Sequence, residues 1–293
     1  MLDLMLRALI ASVGLLMAAA GTVPPKVTLK PAAAKIRPAA DVSGYSSSPS
    51  YDYEAERELL ELANQARAQA GAQALQMDPG LTQAARAHAA AMARDRQLSH
   101  QLEGEPALAQ RLAATGDIRL DRAGENVALD VNVEEAEKHL LQSPPHRENL
   151  LNPYYNVAGF AVVREGARLY VVQDFGHSVP SYSADQSENL VASAVEQLRE
   201  QANLPSLQRV AGPILQSAAC SMAQENRLST RAVRDLADRY NVLTYTNVQP
   251  QNLPATANRI VADRHLRNFS VGTCFARSSS YPNGVYWVAL IFY

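Results

Sequence analysis

The sequence predicts an α+β protein in which helices come first and a β meander follows, with this plan used twice. Three observations predict this fold class. Apolar residues recur at helical spacing in several segments between residues 56 and 142. Two runs rich in β-branched residues, 156–163 and 168–175, then follow and are separated by a glycine-containing turn. The second half of the chain repeats this order in shorter form.

The first two predicted helices have clear boundaries. Apolar residues recur every three or four positions over residues 56–70, and Gly71 is a typical C-terminal stop. The second helix begins with Asp78 as the N-cap and Pro79 at the first helical position, and it continues to about Arg96.

A third predicted helix, residues 133–142, is followed by Pro144 and Pro145. Neither proline can donate a backbone hydrogen bond, and each disfavours helical geometry in the residue before it. The third helix therefore ends here. His146 begins a new segment at a rigid corner of the chain.

Ordered echoes of the first half recur in the second half. Residues 66–76 resemble 198–208 at an offset of 132, and 92–100 resemble 222–230 at an offset of 130. Weaker echoes follow in the same order: 124–127 in 245–248, 156–162 in 269–275, and 167–176 in 284–293. We interpret the chain as a duplicated domain with a shortened second copy. The alternative, two unrelated Ala/Leu-rich helical stretches, does not explain the shared strand order.

Composition narrows the function classes. A chain of 293 residues is long enough for two domains of about 150 residues each. With 47% hydrophobic and 19% charged residues it can bury proper cores and is not a disordered protein. The net charge of −2 lacks the strongly basic character of a nucleic-acid-binding domain, so no nucleic-acid partner is expected.

The N-terminus carries a predicted export signal. Residues 5–21 contain one arginine, an apolar core and then small residues, which is typical of a signal peptide cleaved near Ala20. The alternative is a short membrane anchor, but the apolar core is shorter than the ~20 residues that a span needs. We expect a secreted or periplasmic protein without a stable transmembrane anchor. Its predicted parts are a signal peptide (1–20), a Pro/Ala/Ser-rich linker (21–53), a first domain (54–182) and a second domain (183–293).

Cys220 and Cys274 are the only cysteines. In an oxidising compartment they could pair, which would stabilise the fold by roughly 3–4 kcal/mol. Two buried free thiols are the equally open alternative. The absence of a Cys-x-x-Cys motif excludes a cysteine metal cluster.

Three polar residues in the first half lie near the ends of predicted elements: His100, Glu125 and His146. Two imidazoles and a carboxylate can bind a divalent ion such as zinc and leave a position for water. Without metal, Glu125 could orient a histidine for acid–base chemistry. The bland alternative is surface histidines and a turn glutamate. A further histidine, His88, lies on an apolar helix face and is expected to be a hydrogen-bonded wall residue.

A set of motifs in the first half resembles the CAP superfamily (also called the SCP or antigen 5/pathogenesis-related-1 family) in its bacterial form. The resemblance implies a three-layer α-β-α sandwich with a central antiparallel sheet, and a cavity of two histidines and acidic residues that binds divalent metal in some members. By motif, His100 matches the first cavity histidine, Glu125 the Gly-Glu-Asn glutamate and His146 the second histidine. The motifs are "ELLELANQARAQAG", "LTQAARAHAAAMARDRQLSH", "RAGENVA", "SPPHRENLL" and "YVVQDFG".

The chain also departs from the family pattern. Many eukaryotic members have a second glutamate just before the second histidine, where this chain has Gln142 and Ser143. The second copy lacks the site, with Thr230, Thr246 and Arg259 at the matching positions. His265 lies off register and is expected to be a surface residue. Any cleft chemistry is therefore expected in the first domain alone.

Our leading interpretation is an exported CAP-domain protein that acts by binding. Its cleft would take a divalent metal, a small amphiphile, or an envelope or host component. One alternative is a metal-assisted or acid–base hydrolase that uses the same three residues. Another is a structural envelope module with a vestigial cleft.

Overall fold

The computed structural model describes residues 50–233 and 239–293. The predicted signal peptide, 1–20, and residues 21–49 of the predicted linker lie outside the described residues. The predicted linker also ends sooner than residue 53, because Ser50 and Tyr51 pair with a strand of the first sheet.

Helices in the described ranges are α1 (Tyr53–Gln69), α2 (Pro79–Asp95), α3 (Leu108–Thr115), α4 (Val133–Gln142), α5 (Pro144–Leu151), α6 (Ala184–Gln201), α7 (Pro213–Gln224) and α8 (Thr256–Val261). Strands are β1 (Ser50–Tyr51), β2 (Gln76–Met77), β3 (Leu120–Asp130), β4 (Val157–Glu165), β5 (Arg168–Ser178), β6 (Gln208–Arg209), β7 (Asn241–Asn247), β8 (Asn268–Ala276) and β9 (Val285–Phe292).

The strands form two sheets, one in each half of the chain. The first has the order β1-β4-β5-β3, with the short β2 pairing in parallel with β4. The second has the order β6-β8-β9-β7, and its short β6 pairs in parallel with β8. The remaining pairs of both sheets are antiparallel. In each sheet the long hairpin lies beside the strand that comes before it in the chain.

Side-chain alternation along β4 shows how the first sheet is covered. Phe160 and Val162 pack in a core with α1, α4 and α5. Ala161 and Val163 point to the opposite face and pack against α2. Successive strand residues face opposite sides of a sheet, so a strand that is apolar throughout has to be buried on both faces. This arrangement confirms the predicted three-layer α-β-α sandwich.

The second sheet is covered in the same way. Val288 and Leu290 of β9 pack with α6 and α8, whereas Trp287 and Ala289 on the other face pack with α7. The two halves therefore have separate cores of the same layered design.

Contacts between the two halves are mainly polar. Arg119 of the loop before β3 donates to the hydroxyl of Tyr286. Gln249 donates to the Asp121 carboxylate at 3.1 Å. Arg277 donates to two carbonyl oxygens at the end of α3, at 3.1 and 3.0 Å. The second half therefore contacts the segment that leads into β3.

A disulfide joins the two cysteines within the second half. Cys220 of α7 and Cys274 of β8 are bonded with a Cα–Cα distance of 5.1 Å. The bond ties the helix to the sheet face that it covers, and it closes a loop across a separation of 54 residues. Of the two alternatives left open by the sequence, pairing is the one the structure shows.

Removing this disulfide should destabilise the second half. A Cys220→Ser, Cys274→Ser double variant is expected to lose about 3 kcal/mol of unfolding free energy, because its unfolded chain regains the entropy of an open loop. Urea denaturation of the variant and of the oxidised parent measures the loss. An unchanged midpoint would contradict a stabilising role.

None of the helices in the described ranges combines the length and the apolar character needed to cross a membrane.

Candidate functional site

The candidate site is built on β3, the edge strand of the first sheet. The sequence suggested a turn at the Gly-Glu-Asn tripeptide, but the structure places it inside this strand. At Gly124 a Cβ atom would lie 2.5 Å from the hydroxyl of Tyr155. Only glycine therefore lets the segment after α5 pack closely against the strand.

Glu125 points towards the α2 side of the sheet and is 6% exposed. One carboxylate oxygen is 2.9 Å from Nδ1 of His100. The other accepts a hydrogen bond from the Arg111 guanidinium at 2.5 Å. This buried charge is therefore paired, and it fixes the orientation of the His100 ring, whose side chain remains 58% exposed.

His146 approaches from the opposite side of the edge strand. It lies in the first turn of α5, which begins at the two prolines predicted to stop the preceding helix. Its Nδ1 is 2.8 Å from the hydroxyl oxygen of Ser143. Its ring centroid lies 6.3 Å from that of His100. Burial, and secondarily the nearby His100, lower the pKa of His146, which favours a neutral imidazole at pH 7.

The asparagine of the tripeptide holds α5 in place. Asn126 is fully buried and donates to the backbone oxygen of His146 at 3.0 Å and to Oε1 of Gln173 at 3.0 Å. Asn149 of α5 donates to Oδ1 of Asn126 at 3.1 Å. Consecutive strand residues face opposite sides, so Glu125 orients one histidine while Asn126 positions the other.

The sequence interpretation missed Glu105 and Arg111. Glu105 accepts from Arg111 at 3.4 Å and lies 2.8 Å from Nδ1 of His88. Nε2 of His88 is 2.9 Å from the backbone oxygen of Ser99, so this histidine is the hydrogen-bonded wall residue that was expected. Both missed residues lie in or before the short helix α3. Their placement 5 and 11 residues after His100 is the only signal the sequence offered.

Asp174 is a further missed carboxyl group. It pairs with Glu125 across β3 and β5 and is fully buried. Neither of its carboxyl oxygens has a hydrogen-bond partner in the described part of the chain. Burial, followed by the adjacent charge of Glu125, raises the pKa of Asp174 well above its ordinary range. The cleft thus has more carboxyl groups behind it than the substitution at Gln142 and Ser143 suggested.

Glu137 of α4 belongs to the buried network on the other face of the sheet. Its Oε2 accepts from Gln173 Nε2 at 2.7 Å, and Gln173 in turn accepts from Asn126. Burial raises the pKa of Glu137 to about 7, against a weaker opposing effect of the Gln173 hydrogen bond. The network beneath α5 therefore contains a carboxyl group that ionises near neutral pH.

Stability should fall as Glu137 ionises. Its pKa is raised in the fold, so the unfolded state loses its proton first and stability is lost between pH 4.5 and about 7. Glu137→Gln removes that loss. The variant should be about 2 kcal/mol more stable than the parent at pH 8 and within about 0.5 kcal/mol of it at pH 4.5.

Urea denaturation at both pH values measures these differences. Glu196→Gln, at an exposed position of α6, is the matched control and should shift stability equally at both pH values. A Glu137→Gln variant that differs from the parent by the same amount at pH 4.5 and pH 8 would contradict the raised pKa.

The structure brings the three predicted site residues together at the edge of the first sheet. In the ranges it describes, no group of three or more His, Cys, Asp or Glu side chains is placed to hold a metal ion. The reason is visible at Glu125, whose two oxygens already contact Arg111 and His100. The two imidazoles are the remaining donors that face each other.

Comparison with known proteins identifies the family of this region. Residues 60–175 match the cysteine-rich secretory protein (CAP) family. The uncharacterized protein YkwD of Bacillus subtilis is 32% identical over 123 residues, which cover 42% of this chain and 48% of that protein. The chain thus spans about half the length of this curated relative.

Two solved structures are also similar to this chain. An extracellular protein with an SCP domain from Bacillus anthracis is 25% identical over 42% of this chain and 40% of that chain, with a TM-score of 0.39. An outer surface protein from Borrelia burgdorferi is 19% identical over 45% of this chain and 99% of that chain, with a TM-score of 0.42. The family match, the Bacillus subtilis relative and the ordered motifs agree on the same segment, and residues 60–175 of this chain are a bacterial domain of the CAP family.

Proposed function

We propose that this protein is an exported binding protein whose CAP domain holds a divalent ion between His100 and His146. The observation that carries the proposal is the state of the two rings. Their centroids are 6.3 Å apart, and each Nδ1 is already engaged, by Glu125 and by Ser143. Neither Nε2 has a hydrogen-bond partner among the described residues, so both are available as ligands.

The donor set fits a zinc-like ion, for which neutral imidazole is a preferred ligand. In this proposal Glu125 differs from its predicted role as a direct ligand. It acts behind His100 by accepting the Nδ1 proton, which fixes the tautomer that presents Nε2. Arg111 holds Glu125 for that task. A bound ion would supply Lewis acidity and positions for water or an anionic ligand.

Zinc titration tests the proposal. Isothermal calorimetry should detect binding to the parent protein at pH 7, and the His100→Ala, His146→Ala double variant should bind at least about 30-fold more weakly. Glu125→Gln should lose about tenfold, as expected of an orienting residue. His139→Ala is the matched control, because His139 is 56% exposed and pairs with Asp130. Equal zinc affinity in the parent and the double variant would refute the site.

Export is supported by two features of the chain. The predicted signal peptide precedes the described residues, and the Cys220–Cys274 disulfide is of a kind that persists in oxidising compartments. We therefore propose a secreted or periplasmic location.

We further propose that residues 54–182 and 183–293 are two copies of one domain. Two buried arginines support this. Arg67 of α1 and Arg199 of α6 are 132 residues apart, and each donates to backbone carbonyls of the loop that follows its helix and of a later segment. The acceptors are those of Gln73, Leu150 and Asn152 for Arg67, and those of Pro205, Val261 and Asp263 for Arg199. The acceptors correspond at constant offsets of 132 and 111 residues.

The proposed second copy has no counterpart of the cleft carboxylate. Gly159 and Gly272 both lie against the start of a covering helix, which aligns the two sheets. Gly159 and Glu125 share one cross-strand partner, and Gly272 and Thr244 share another. Thr244 therefore takes the place of Glu125, two residues before the Thr246 that the sequence suggested. We propose that this half supports the first domain through the contacts to α3 and β3.

A further inference from the structure

An open pocket lies against α5, apart from the two histidines. Its volume is about 600 Å³. One face of α5, the loop after it and one residue of β3 line it: Arg122, Pro144, Arg147, Glu148, Leu151, Asn152, Pro153 and Tyr154. The floor is mostly apolar, and the charged groups of two arginines and one glutamate stand on the rim.

The wall of this pocket is held in place before any ligand arrives. The fully buried Arg67 donates to the carbonyl oxygens of Leu150, Asn152 and Tyr155 at 2.7–2.9 Å. The backbone N–H of Tyr154 donates to the Asn152 side chain at 3.0 Å. A pocket whose wall needs no reordering keeps more of its interaction energy for binding.

The two guanidinium groups have little compensation from neighbouring carboxylates. Arg122 lies 4.3 Å from the centroid of the Tyr154 ring, which orients its guanidinium. Its nearest carboxylate, Asp121, is 3.9 Å away and already contacts His177 at 2.6 Å and Gln249 at 3.1 Å. Arg147 has no ion pair within the described part of the chain. Glu148 is the single opposing charge on the rim.

We propose that this pocket binds an anionic group, a carboxylate or a phosphate, attached to a small apolar or aromatic body. A guanidinium fork matches either anion through two parallel N–H···O bonds. The apolar floor of Pro144, Leu151 and Pro153 would take the attached body, while the exposed Tyr154 ring flanks it. The pocket uses neither histidine of the proposed metal site, so the two sites are independent.

Binding of benzoate, phenyl phosphate and the neutral benzamide to the full chain tests the proposal. Arginine Nε–H signals in NMR titrations should move saturably with the two anions and not with benzamide. The double variant R122Q/R147Q should bind the anions at least about tenfold more weakly, because each lost charged hydrogen bond is large. E148Q should bind them about threefold more tightly, because it removes the opposing charge. The tighter of the two anions identifies the preferred group.

Two controls separate this pocket from general charge effects and from the metal site. R94Q/R96Q removes the same charge from exposed side chains near the end of α2 and should leave anion binding unchanged. The His100→Ala, His146→Ala variant should also retain it. Equal binding by R122Q/R147Q and R94Q/R96Q, or benzamide binding as tight as benzoate, would overturn the proposal. A protein that binds benzoate without binding zinc would leave this site standing and remove the metal site.

Discussion

Replacing Arg67 with methionine is expected to reduce the unfolding free energy by about 5 kcal/mol, a large part of the stability of an ordinary domain. Arg67 is fully buried in α1, and its guanidinium donates to four backbone carbonyls. Methionine fills much of the same space but leaves those acceptors without donors. Each unsatisfied buried acceptor costs roughly 1–3 kcal/mol.

Chemical denaturation followed by circular dichroism measures this loss. Arg57→Met, on the exposed side of the same helix, is the matched control and should change stability by less than about 0.5 kcal/mol. Arg199→Met tests the corresponding arginine of the second half and should also be strongly destabilising. A loss below about 2 kcal/mol for Arg67→Met would mean that the carbonyls find other donors, and the proposed role of this arginine would be wrong.

Adding a single methyl group at Gly159 is expected to cost at least about 4 kcal/mol. A Cβ atom there would lie 2.0 Å from the carbonyl carbon of Leu81 and 2.2 Å from the backbone nitrogen of Thr82. These are backbone atoms in the first turn of α2, so no side-chain rotation relieves the overlap. The whole helix would have to move off β4 and lose its packing on the sheet.

The thermal midpoint and the near-UV circular dichroism of Gly159→Ala measure this effect. Gly116→Ala is the matched control, since its Cβ would meet the nearest atom at 3.4 Å. The control should remain within about 1 kcal/mol of the parent. A Gly159→Ala protein with a parental midpoint would show that α2 does not press on the sheet as closely as described.

Local chemistry made much of the first half predictable. The helix predicted over residues 133–142 agrees with α4, and α1 and α2 agree within three residues at each end. The paired prolines were also informative, because proline both ends a helix and suits the first positions of the next one. His146 was therefore placed correctly at the start of a new element.

The interior of the site was less predictable. The Gly-Glu-Asn tripeptide has turn-forming residues, and its pairing with β5 depends on residues about 50 positions later in the chain. Arg111 and Asp174 carry residue types that usually lie at the surface, so composition favoured exposure for both. They are buried because the fold brings a cation and several carboxyl groups together on one face of the edge strand.

Patterns within a few residues of each other were enough to identify the helices, the hairpin, the ordered motifs of the family and the three residues His100, Glu125 and His146. These features depend on backbone sterics and apolar periodicity, which are local. Pairing of Cys220 with Cys274, the ion pair of Arg111 with Glu125, and the pocket beside α5 all join distant segments. Only the packed structure decided them, because a buried charge or thiol finds its partner through tertiary contacts that spacing along the chain does not encode.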